Sequence, residues 1–441
     1  VYIINEMKNK IATAILLLLI PFFLTACTVA DIPLIGKYLT KGSGGSGSSS
    51  QPVSLSMWGL WESPDIMDAV IKEYQGQNPN VTINYDDRSI TKPDQYKETL
   101  VTRLQQGGTP DIVLVHNSWV PYIKDYLEPM PSDMLSPQDY SQRFYPLAVE
   151  SGVFDSQIYA IPAHHDGLVL VYNKDHFDEI DQVTPPTAWE EFRRIALALT
   201  VKSGEGEFVR AGAAMGAADN IDFFSDILGL MFAQAGVSVP FGLDSRAAQD
   251  ALSFYVLFLK SDGVWNTSFP EASKAFSAGK VSMIFVPTWN LLDIVRANPG
   301  MNIGVAPVPQ AVAENPVSWG SFWMYAVPKS SSNKKEAWRF INFISQDNQE
   351  LLLFSEASKY RPFGAPFAST NLITQVGVSP ASMYIKPVLD TAPFAKGNYF
   401  AARSGNTKEV EALRKAVNAV LSGEASSEDA LKACKATLSS R

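Results

Sequence analysis

The chain has 441 residues, a formal net charge of -9 at pH 7 and 46% hydrophobic residues. That length and apolar content suffice for two or three packed domains. The acidic balance argues against binding nucleic acid or anionic lipid headgroups.

Lys8 and Lys10 precede about fourteen mostly apolar residues, Ile11 to Leu24, and then Thr25, Ala26 and Cys27. The run is short for a membrane span, and this order of basic, apolar and small residues fits a processed leader. Leu24-Thr25-Ala26-Cys27 resembles the lipobox of a bacterial lipoprotein signal peptide. The resemblance implies removal of residues 1–26 and lipidation of Cys27, placing the body outside the cytoplasm on a membrane-held acyl anchor. Each buried methylene of such an anchor contributes about 0.8 kcal/mol. A plain membrane anchor, or a secretory leader with an incidental cysteine, is the competing reading. Loss of Lys8, Lys10 and Glu6 moves the charge from -9 to about -10. With Cys27 lipidated, Cys434 has no partner and reads as a small apolar residue on the last helix. Residues 42–50 are all glycine or serine. The stretch 27–52 therefore reads as a flexible tether of roughly 25–30 Å average reach, and an engineered linker would look the same.

Further along, Ser54 to Gly59 is a strand candidate, and Ser63-Pro64 starts a helix carrying Ile66, Met67, Val70, Ile71 and Tyr74 on one face. Val81 to Tyr85 alternates as a strand. Tyr96, Leu100 and Leu104 mark a helix stopped by Gly107-Gly108, and Pro110 to Val115 is a β-branched strand. Strand alternating with helix predicts a parallel sheet with helices on its faces. Leu168 to Tyr172 is a buried-type strand, and Thr187-Ala188-Trp189-Glu190 reads as a capping box. Val281 to Val286 and Ile303 to Ala306 are strand candidates. Asn333 with Glu336 caps a helix carrying Ala337, Phe340, Ile341 and Ile344, and Leu413, Val417, Val420 and Leu421 mark a helix near the end. There is no internal repeat and no second apolar run of spanning length.

Several strings recur in a recognisable order: Tyr172-Asn173-Lys174-Asp175, Pro185 to Phe192, Ala275 to Met283, Trp289, Gly304 to Pro309, Ala326 to Ser330 and Glu336 to Ile341. Together they resemble the family 1 extracellular solute-binding proteins, the group that includes maltose-binding protein. The resemblance implies an α/β fold of two lobes, the type II periplasmic-binding arrangement. Three hinge crossings join the lobes, and ligand binds in the cleft between them. The crossings are expected near Ala163–Asp166, Trp319–Trp323 and Tyr360–Pro362. Lobe one is then 53–163 with 322–360, and lobe two 166–320 with 363–435.

A sugar offers flat C–H faces and rings of hydroxyls, so its site needs aromatic planes and fixed polar groups. Nine tryptophans exceed what a core of this size requires, which leaves several for such a purpose. Trp289 sits in a turn after Pro287-Thr288, where the matching tryptophan of maltose-binding protein stacks on sugar. Asp166 matches a family carboxylate that hydrogen-bonds ligand at the first crossing, or else it is a solvated hinge acid. Trp58, Trp61 and Glu62 follow the first strand, where ligands gather in open α/β sheets. Asn117 and Trp119 follow another strand, as ligand contacts or as loop packing. Of Trp319 and Trp323, one lines the cleft and the other is core. Arg361 at the third crossing suits a hydroxyl or carboxylate, and Tyr399 or Phe400 lies where the family places a late aromatic. Adjacent His164 and His165 point apart on extended backbone and would not share a metal ion.

These readings predict a monomeric binding protein that delivers a carbohydrate to an ABC permease by hinge closure, with no cofactor and no bond chemistry. A non-sugar ligand (a polyamine or a phosphoester) is the alternative. A surface glycoside hydrolase would need a marked carboxylate pair, and none stands out. A scaffold or adhesin with a degenerate cleft is the remaining reading.

Overall fold

The computed structural model describes residues 51–361, 364–376 and 382–439. The leader, Cys27, the tether up to residue 50, and Pro362 of the third expected crossing lie outside them.

Strands Val53–Gly59, Val81–Asp87 and Ile112–His116 run parallel, with Val53–Gly59 in the middle. Helix Pro64–Gln77 begins with Ser63 at its N-cap and buries Ile66, Met67, Val70, Ile71 and Tyr74. Proline at the first helical position costs no hydrogen bond, because that N–H has no partner within the helix. The wholly parallel sheet expected from the alternation is not what forms. Trp323–Ala326 adds antiparallel to Ile112–His116, and Ile161–Pro162 adds antiparallel beyond it. The sheet is mixed because a strand from much later in the chain returns to it, which local alternation does not reveal.

A second sheet runs in the order Ile303–Ala306, Leu168–Asn173, Val281–Pro287, Phe208–Ala213 and Val201–Lys202. Every residue of Leu168–Asn173 and Val281–Pro287 is buried, as expected for a sheet covered on both faces. Each sheet has its own apolar cluster. Leu55, Val70, Leu114 and Trp338 belong to one, and Val169, Phe192, Phe285 and Leu413 to the other. Helices Thr407–Ser422 and Ser427–Ser439 pack on Arg246–Lys260 in the second, where Cys434 is buried with a free thiol.

Two passages between these clusters lie side by side. Ala163 to Gly167 leads from Ile161–Pro162 to Leu168–Asn173, and Gly320 to Phe322 leads from Ser318–Trp319 to Trp323–Ala326. Gly167 bridges Gly320, and a side chain at Gly167 would strike the Trp319 carbonyl. Ala395–Lys396 pairs in parallel with Ser318–Trp319. Beyond helix Asp347–Ser358, the N–H groups of Ala368 and Ser369 donate to Glu350 at 3.0 and 3.1 Å, while neighbouring Phe367 belongs to the second cluster.

Two capping expectations shift. Ala188, not Thr187, is the N-cap of helix Trp189–Leu199, and Glu191 reaches back to the Thr187 N–H at 3.0 Å. Asn333 is an N-cap without a side-chain cap bond, because its amide donates instead to the Ser54 carbonyl at 3.2 Å and to Asp111 at 3.4 Å, while Glu336 accepts from the Tyr74 hydroxyl of a neighbouring helix.

Candidate ligand-binding site

Two tryptophans are exposed, Trp61 at 40% and Trp289 at 44%. Each stands beside one of the paired crossings, on a different lobe.

Trp61 follows strand Val53–Gly59 in the left-handed region, at φ 70°. A bulky residue there is strained. Its N–H donates to Ser89 Oγ at 2.6 Å, and Ser89 in turn bonds to Asp87. The indole meets Trp323 edge-on at 6.1 Å, and Trp323 meets Trp119 at 5.1 Å and His116 at 5.4 Å. A buried aromatic stack thus backs the exposed ring. Beside it, Glu62 accepts Arg361 Nη2 at 2.6 and 2.9 Å. Burial raises the Glu62 carboxyl above its usual range, and Arg361 opposes that shift.

Trp289 lies in the first turn of helix Thr288–Ala297 rather than in the turn expected. Its position is set from the hinge. Buried Asp166 in the first crossing accepts from Gly167 N at 2.6 Å, Thr288 N at 3.0 Å and Trp289 N at 3.2 Å. A carboxylate facing a helix N-terminus satisfies N–H groups that have no partner within the helix and complements the helix dipole. Pro287, the residue at the N-cap itself, has no side-chain acceptor, so the cap comes from a distant segment. Burial raises the Asp166 carboxyl to about 6, with the three N–H bonds acting the other way. The Trp289 ring stands edge-on to Phe223 at 5.6 Å. The Arg403 guanidinium lies 5.7 Å from Trp289 and 5.4 Å from Phe223, held by Asp222 at 2.9 Å. Sequence reasoning missed Phe223, Asp222 and Arg403, and no local pattern marks them.

The other candidates lie inside the protein. Trp58 is buried, with Arg88 and Arg103 guanidinium groups 4.5 and 4.9 Å from its ring centre. Trp119 is covered by Tyr96, stacked at 6.3 Å, and by Trp323. Trp319 packs into the second cluster over Gly229 and donates Nε1–H to Asp226 at 2.8 Å. Trp323 lies beneath Trp61. Asn117 bonds the Phe322 backbone through its own N–H at 2.9 Å and its Oδ1 at 3.3 Å. Arg361 is committed to Glu62. Tyr399 is buried between Tyr122 at 6.4 Å and Phe400 at 5.4 Å. The expectation of surplus tryptophan is thereby corrected. Trp58, Trp119, Trp189, Trp265, Trp319, Trp323 and Trp338 are all buried, because two separate cores need more large side chains than one.

Burial also lowers His164 to about 4 and His165 to about 3, so both are neutral. Among the described residues, no group of three or more His, Cys, Asp or Glu is placed to hold a metal. A cavity of about 50 Å³ lined by Glu62, His164, Tyr325, Glu350 and Arg361 has room for a few waters at most.

Two α/β lobes joined by adjacent crossings, with an exposed indole on each lobe, define a two-lobed ligand-binding protein of the periplasmic-binding type. The chain belongs to the bacterial extracellular solute-binding protein family, which it matches over residues 60–350. A "putative binding protein" of Brucella abortus is 22% identical over 290 residues, 63% of this chain and 68% of that one. The mannobiose-bound structure of CpMnBP1 is 25% identical, covering 88% of this chain and 100% of that one, with a TM-score of 0.65. UgpB from Mycobacterium tuberculosis, in complex with glycerophosphocholine, is 17% identical, covering 88% of this chain and 97% of that one at a TM-score of 0.69. Among the described residues, no helix is long and apolar enough to cross a membrane.

Proposed function

We propose that this protein captures a carbohydrate by closing its lobes over it and delivers it to an ABC importer. The observation that carries this reading is the pair Trp61 and Trp289, the two tryptophans left exposed, one on each lobe at the crossings. Indole faces stack on the apolar faces of sugar rings. Arg403, 5.7 Å from the Trp289 ring, would supply hydrogen bonds to hydroxyls. Ligand touching both lobes favours the closed state, since only there are both sets of contacts made. Lipidation at Cys27 would keep the protein at the membrane beside its permease.

The test is titration calorimetry against mono- and oligosaccharides, with glycerophosphodiesters and polyamines alongside. Heat with a sugar, lost in Trp289→Ala, supports the reading. Heat only with a phosphodiester or polyamine, chemistry that Arg403 or the acidic surface could also serve, would overturn the carbohydrate assignment and leave the family untouched.

A further inference from the structure

Asn406 occupies the N-cap of helix Thr407–Ser422. An asparagine there ordinarily turns its side-chain oxygen back onto the first helical N–H groups. In this protein the side chain makes no such bond. It reaches the other lobe instead. Oδ1 accepts from Lys97 Nζ at 2.6 Å, and Nδ2 donates to Ser118 Oγ at 2.9 Å. The helix that Asn406 begins sits in the second apolar cluster through Leu413 and Val417, whereas Lys97 and Ser118 adjoin Tyr96 and Trp119 of the first.

The connection continues to the hinge. Because Asn406 Nδ2 can only donate, Ser118 Oγ accepts it and gives its own hydrogen to His116 Nδ1 at 2.8 Å. The Nε2–H of His116 is then left to donate to Ser321 Oγ at 3.0 Å, in the second crossing. A single neutral tautomer satisfies the whole chain, and burial, which lowers His116 to about 3, keeps the ring neutral. Next to Asn406, Gly405 has φ 75°, and a Cβ there would lie 2.7 Å from the Pro93 carbonyl and 3.2 Å from the Trp119 ring. Backbone from one lobe is thus in contact with the other.

We propose that Asn406 is a clasp between the lobes, made when they are together and broken when they part, so that it sets their resting angle and adds to ligand affinity. This rests on the hinge-closure reading above only for the affinity. The test is small-angle scattering of the unliganded protein beside ligand titration, for wild type, Asn406→Ala and Gly405→Ala. The first variant removes the bonds, and the second wedges a methyl into the contact. Both are expected to raise the radius of gyration without ligand and to weaken ligand binding about tenfold, as loss of one or two such bonds does. Wild-type dimensions and affinity in both variants would overturn the clasp. A scattering shift with no sugar bound by any form would sink the carbohydrate reading and leave the clasp standing.

Discussion

The two exposed tryptophans are placed by different physics. Trp61 is held by packing: a strained left-handed residue rests on Trp323, which rests on Trp119, Tyr96 and His116, and its N–H donates to Ser89. Trp289 is held by charge: its helix begins on the Asp166 carboxylate, which belongs to the hinge. Trp289 is therefore tied to the first crossing by a titratable carboxylate, whereas Trp61 meets the second crossing only through the packed rings of Trp323 and His116. A crossing segment thus orients the lobe-two indole.

The largest effect should come from confusing a core tryptophan with a site tryptophan. Trp319→Ala removes a buried indole and leaves Asp226 without its Nε1–H donor. It is expected to cost about 4 kcal/mol in urea unfolding, with ligand selectivity unchanged in the fraction that folds. Trp289→Ala is expected to leave the unfolding midpoint nearly intact and to weaken ligand by about 2 kcal/mol, roughly 30-fold in Kd. A large loss of stability in Trp289→Ala would erase the distinction between the two.

The charge-based placement has a pH signature. As pH falls through about 6, Asp166 takes up a proton and its oxygens accept the Thr288 and Trp289 N–H groups less well. Ligand affinity should decline over that range, and Asp166→Asn should bind about tenfold more weakly at pH 8 with the decline flattened. Calorimetry at several pH values checks both. Stability moves the opposite way. The carboxyl rises from 3.8 in the unfolded chain to about 6 when folded, so this group's contribution to stability improves as pH drops from about 6 towards 3.8. The smallest effect concerns Trp61. Trp61→Gly relieves the left-handed backbone and should raise stability by up to about 1 kcal/mol, while ligand weakens with no new pH dependence. A loss of stability would mean that the stack beneath needs the indole more than the backbone resents it.

Much of the fold was legible because strands and helices announce themselves locally. The stripe Ile66, Met67, Val70, Ile71 and Tyr74 lies on the buried face of Pro64–Gln77, and Val281–Pro287 is buried throughout. The mixed pairing was not legible, since Trp323–Ala326 joins Ile112–His116 across some two hundred residues. For the candidate site, residue type singled out Trp289 and Trp61, which the structure leaves exposed, and Asp166, which it buries as a helix cap. It could not separate them from Trp58, Trp119 and Trp319, because an indole looks the same in sequence whether a core or a cleft receives it.

By itself the sequence determined the family, the α/β alternation, and the presence of aromatic and acidic residues near the crossings, all of which follow from local periodicity and short strings. Only the tertiary structure decided which tryptophans face solvent, that Asp166 caps the helix bearing Trp289, and that Asn406 reaches across to Lys97 and Ser118. Exposure and such long-range hydrogen bonds depend on which surfaces remain after two separate cores have been filled, and no short stretch of chain records that.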